Sequence, residues 1–107
     1  IARSACLESL ETRAERSLRP IQRVFFYLPL EHSEDREHQR LSVDLFQELA
    51  SEVPSDDKSV FDGFVDFAIR HKAIIDRFGR FPHRNGILRR SSSPVEEEFL
   101  QQPGSSF

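Results

Sequence analysis

The sequence predicts an all-α domain of four to five packed helices, and three observations predict it. Apolar residues recur at steps of three and four along most of the chain. Helix-start and helix-stop residues flank those stretches. The one segment with strand propensity, residues 21–28, has no second strand to pair with.

Residues 1–20 place Leu7, Leu10, Ala14 and Leu18 on one helical face, with Pro20 as the stop. The run `IQRVFFYLPL` then lies between Pro20 and Pro29 and is read as a short buried helix with Pro20 in its first turn. A third helix starts at Ser33 as N-cap, with Glu34 and Asp35 in the first turn, where the helix dipole favours acids. Leu41, Leu45, Leu49 and Val53 form its stripe, and `PSDD` turns the chain. The longest helix follows, with Phe61, Phe64, Val65, Ala68, Ile75 and Phe78 on one face, widened by Val60, Phe67 and Ile74. Its narrow polar strip predicts a helix covered from several sides. Gly79 ends it in the left-handed conformation. In `SSSPVEEEFLQQ`, Ser93, Pro94 and Glu96 make a capping box for a last short helix.

A chain of 107 residues is one domain. Ten Phe with no Trp and no Met mean a core of Phe, Leu, Ile and Val. The absence of Met, at the first position and elsewhere, leads us to expect further sequence before Ile1. One cysteine, Cys6, allows no internal disulfide, and a reducing, cytoplasmic setting is expected. No run is long and apolar enough to predict a membrane helix. Net charge is −3, but it is polarised: residues 70–90 hold seven basic side chains against Asp76 alone, and the remainder is acidic. A short basic segment on an acidic chain argues against nucleic acid as a partner.

Dinucleotide, P-loop, nucleophile-elbow and zincin motifs are absent. Two charged clusters remain. `EHSEDREH` offers His32, Glu34, Asp35 and His38. No matching ligand pair stands on another helix at di-iron spacing, so the reading is a capped, ion-paired helix start, without metal or other cofactor. `RFGRFPHRN`, residues 77–85, offers Arg77, Arg80, His83, Arg84 and Asn85. Arginine forks, His and Asn suit a phosphate or carboxylate. The alternative is a self-satisfied loop, with Arg77, Arg80 and Arg84 paired to Glu31, Glu34, Asp35 or backbone carbonyls over buried Phe78 and Phe81. His71 is read as a hydrogen-bonded core histidine.

The stretches `FFYLPLEHSED` and `FAIRHKAIIDRFGRFPHRNGILRRSSSPVEEEFLQQPGSSF` resemble the C-terminal part of a bacterial family known as domain of unknown function 924, from about Pro20 to Phe107. The resemblance implies a tetratricopeptide-like helical fold of which residues 1–107 are the C-terminal part, and it implies no activity. It also implies a `DQFPRN` segment, absent here, that could complete a pocket with His32, Glu34, Arg77, His83 and Asn85. Arg89 stands where the family pattern has Gly. Two readings stay open: a helical interaction module that takes a peptide or protein partner, and a small-anion site, enzymatic or not, at the two motifs. A homodimer is expected, because the face that further helices would cover is apolar.

Overall fold

The structure, a computed structural model, describes residues 2–12 and 18–105. All regular structure among them is helical: α1 (Ala2–Thr12), α2 (Pro20–Glu31), α3 (Arg36–Glu52), α4 (Lys58–Phe78) and α5 (Pro94–Leu100). Single turns of 3-10 helix precede α4 (Ser55–Asp57) and follow it (Pro82–Arg84). The part of the first predicted helix at residues 13–17 lies outside the described residues. Pro20 starts α2, and Arg19 before it is extended, the conformation that the residue preceding a proline favours. The proline occupies the first turn, where its missing N–H costs nothing, and the Arg19 N–H is held by the Gln22 Oε1 at 3.0 Å.

Two boundaries differ from the sequence reading. α2 does not stop at Pro29 but runs through it to Glu31. Pro29 sits in the last turn, where the lost hydrogen bond is near the frayed end, and Leu30 behind it is fully buried. The α3 cap is Asp35 rather than Ser33: its carboxylate accepts from the N–H groups of Glu37 (2.8 Å) and His38 (3.2 Å). Ser33 serves the loop instead, accepting from the Asp35 N–H at 3.2 Å. Gln39, fully buried, donates from Nε2 to the carbonyls of both Glu31 and Ser33 at 2.6 Å. That fork pins the two ends of the α2–α3 turn, so α3 is capped at Asp35 rather than Ser33.

α1 to α4 pack in chain order, α3 against both α2 and α4, with α2 also touching α4. The thinnest dimension is 19 Å, room for about two helix diameters, so the chain is a slab two layers deep. Its main core holds Tyr27, Leu30, Phe46, Leu49, Ala50, Phe61 and Ala68, and Cys6 of α1. A smaller cluster of Ile74, Ile75 and Phe81, flanked by Phe78 and Phe99, seats the α4–α5 connection. α4 is covered less than its sequence predicts: Val60, Phe67 and Ile69 stay 56, 42 and 44 % exposed. Gly79, at φ 74°, closes α4 as predicted, and the Ser93–Glu96 capping box opens α5.

Candidate functional site

The end of α2, the middle of α4 and the 3-10 turn after α4 converge on a cleft of about 320 Å³ lined by His32, Phe67, His71, His83 and Arg84. His32 caps the C-terminus of α2, and its own carbonyl accepts from Arg84 Nη1 at 2.9 Å. His71 is buried on α4. Its Nδ1 lies 2.8 Å from the Phe67 carbonyl, which can only accept, so Nδ1 carries the proton. The His32 and His71 rings are 6.0 Å apart, and Phe81 meets His71 edge-on at 5.6 Å and lies tilted against His83 at 5.7 Å. Arg84 stacks on the Phe81 ring at 4.6 Å.

Behind this wall lies Glu31, buried, with Oε1 3.7 Å from His71 Nδ1. Burial pushes the Glu31 carboxyl up to about 7. Burial likewise pushes His71 down to about 4, against the pull of its bond to Phe67. Both groups are held toward their neutral forms, so their contact is not a full ion pair. His32 and His83 are lowered by burial and by the Arg84 charge. The cleft thus presents one permanent cation, Arg84, among neutral imidazoles. His32 and His83 can each donate or accept a hydrogen bond there, whereas His71, its proton engaged on Nδ1, can only accept.

A second, apolar cleft of about 300 Å³ runs between α2 and α4, lined by residues that include Ile21, Phe25, Leu28, Phe46, Phe64 and Phe67. It shares His32 and Phe67 with the first, so the two form one groove with an apolar and a polar end.

Of the residues the sequence singles out, the structure brings His32, His83 and Arg84 to the cleft. The rest are spent on structure. Arg80 grips Glu96 with two bonds, 2.8 and 2.6 Å, and the Ser91 carbonyl at 2.8 Å. Its partner is therefore the capping-box acid of α5, not an acid of the 31–35 segment. The Arg80 hydrogen bonds, followed by the Ser93 N–H, hold the Glu96 carboxyl down at about 2. Glu34 takes Arg90 at 2.8 and 3.1 Å and the Phe81 N–H at 2.6 Å. Burial opposes its ionisation, but these bonds outweigh it and lower its pKa. Asp35 is the α3 cap, exposed and away from the cleft. Arg77 stacks on Phe78 and Phe99 at 4.7 and 5.7 Å. Asn85 is buried, with Nδ2 on Ser92 Oγ at 3.0 Å. His38 stands 2.9 Å from Ser33 Oγ, outside the cleft.

Sequence reasoning missed Glu31 and Phe67 and assigned His71 to the core. His71 is buried and hydrogen-bonded as expected, but it also forms part of the cleft wall. The available signal was an acid–His pair ending one apolar helix and a histidine within the apolar face of another.

The model of a bacterial protein family of unknown function, DUF924, matches residues 1–104. The solved structure of a protein of unknown function, ATU0120 from Agrobacterium tumefaciens, is similar at a TM-score of 0.78 and 37 % identity. The alignment covers 94 % of this chain and 51 % of that one, so the chain spans about half the length of that relative. No curated protein matches.

Proposed function

The chain belongs to the DUF924 family, and from that premise we propose that it binds a small organic anion, a carboxylate or a phosphate monoester, in the cleft of Arg84 and the three histidines. One observation carries this reading. The acids nearest the loop, Glu34 and Glu96, are neutralised by Arg90 and Arg80, while Arg84 faces the cleft. Among the described residues the Arg84 guanidinium makes one hydrogen bond, to the His32 carbonyl, which leaves most of its five N–H donors for a ligand. Phe81 fixes the guanidinium plane from below. The adjoining apolar groove favours an anion that carries a hydrocarbon portion.

Thermal melts with inorganic phosphate and with hexanoate test the proposal. At ten times Kd a ligand stabilises by about 1.4 kcal/mol, a rise of several degrees for a domain this size. The wild type and Arg80→Gln are expected to rise, hexanoate acting at lower concentration. Arg84→Gln is expected to stay flat. Equal rises in all three proteins, or none in the wild type, overturn the proposal.

A second reading, an interaction module, rests on Ile21, Phe25 and Phe67, which remain 46, 67 and 42 % exposed along the apolar groove. Its occupant would be the same face of a second copy, whose own exposed α2 aromatics match it. Light scattering of the wild type and Phe25→Glu tests this: a dimer that the substitution dissociates supports it, and a concentrated monomer removes it.

A further inference from the structure

Three groups of metal-ligating type meet where α2 ends against α4: Glu31, His32 and His71. One ligand atom from each lies within 4.8 Å of the others. We propose that these residues bind a divalent transition metal, zinc by preference, through two imidazoles and one carboxylate. The proposal shares His32 and His71 with the cleft but does not require that the cleft take an anion.

The donor set argues for the metal class. Two nitrogens and one oxygen suit zinc and its neighbours, whereas magnesium and calcium take oxygen shells. Three protein ligands with the fourth position left to solvent or substrate are the pattern of reactive rather than structural zinc sites. The setting argues for a cation. Glu31 and His71 are 3 and 2 % exposed, and among the described residues no arginine or lysine reaches the Glu31 carboxylate. A buried carboxylate without a countercharge is costly, and a bound dication removes that cost.

The outer contacts fit as well. A ligating histidine ordinarily donates its second ring N–H to a carbonyl, which fixes the tautomer and the ring. His71 does so, through Nδ1 to Phe67. The backbone of Glu31 and His32 is pinned from two sides, by Gln39 on the Glu31 carbonyl and by Arg84 on the His32 carbonyl. Bonds of about 2.0–2.2 Å put tetrahedral ligand atoms about 3.4 Å apart, so the cluster must contract by up to about 1.4 Å. His32, the exposed member, is free to supply that movement.

The test uses the chain purified from chelator into phosphate-free buffer and titrated with Co²⁺ or Zn²⁺ alone. Expected are one ion per chain, a visible cobalt spectrum of four-coordinate intensity, and a higher melting temperature with zinc. His32→Ala, an exposed position, should melt like the metal-free wild type and bind at least tenfold more weakly. Glu31→Gln, of unchanged shape, should do the same. His38→Ala, outside the cluster, should bind as the wild type does. A six-coordinate cobalt spectrum, or affinities equal in the wild type, His32→Ala and Glu31→Gln, overturns the site. The phosphate and hexanoate melts are run on chelated protein, so failure of one proposal leaves the other standing.

Discussion

Glu34→Ala should cost about 3 kcal/mol, and the figure follows from what the carboxylate holds. It accepts from the Phe81 N–H at 2.6 Å and from both Arg90 Nη atoms at 2.8 and 3.1 Å. Phe81 is fully buried, so truncation strands a backbone N–H, at a cost of about 1–3 kcal/mol. The Arg90–Glu34 pair is only 24 and 27 % exposed, and its loss adds about 1 kcal/mol, the upper end for partly exposed pairs. Arg90 would keep only its longer bond from Nη2 to the Phe81 carbonyl, 3.2 Å, with Nε already lacking a partner. Glu34→Gln divides the two parts. Its amide oxygen can still receive the Phe81 N–H, and only the ion pair is lost, about 1 kcal/mol. Urea unfolding followed by far-ultraviolet circular dichroism gives both values. Glu37→Ala is the control, because Glu37 meets Arg40 with both side chains well exposed, and its melting temperature should not move. A Glu34→Ala protein as stable as the control, or a Gln variant as damaged as the Ala variant, refutes the reasoning.

Arg80→Ala should lower the melting temperature near pH 7, and the deficit should vanish in acid. The Glu96 pKa is depressed from 4.5 to about 2, so the stabilisation is complete above 4.5 and is lost as pH falls through 2. Melts of both proteins down the pH scale read this directly, and a deficit unchanged near pH 2 contradicts it. Arg89→Gly should stabilise by about 0.5–1 kcal/mol, since Arg89 sits at φ 57° with no glycine to ease it. Chemical denaturation measures the gain. Gln39→Leu should cost about 2–3 kcal/mol by stranding the carbonyls of Glu31 and Ser33, measured the same way.

What could be read in advance depended on whether a feature is local. The stripe of α4, Gly79 at its end and the Ser93–Glu96 box are relations within a few residues, and all three stand as the spacing predicts. Arg89 was legible too, as the residue in place of the family's Gly, and the structure puts it in the conformation that glycine favours. The α3 start was misread because the choice between Ser33 and Asp35 is made by Gln39, whose fork binds carbonyls six and eight residues back. The charged loop was misread in the same way. Its arginines matched the 31–35 acids by sign, but the chain turns so that Arg80 meets Glu96 and Arg90 meets Glu34. The cleft depends on α2 and α4 lying side by side, and no spacing in the sequence shows which of their faces touch.

The connection from Gly79 to Ser93 is held to the rest of the chain by side chains rather than by a helix or sheet ladder. Its staples join residues far apart in sequence: Phe81 to Glu34 across 47 residues and Arg90 to Glu34 across 56. Closing such loops is entropically slow, whereas α3 and α4 meet through a short turn. The segment therefore docks late in folding, and substitutions at Glu34 should quicken unfolding while leaving the folding rate nearly unchanged. It should also open from the native state ahead of the α2–α4 scaffold. Amide protons of residues 80–90 should exchange through that partial opening, and those of α3 only through global unfolding. His83 and Arg84 travel with the segment and His32 and His71 stay behind, so the two walls of the cleft can part without the protein coming undone.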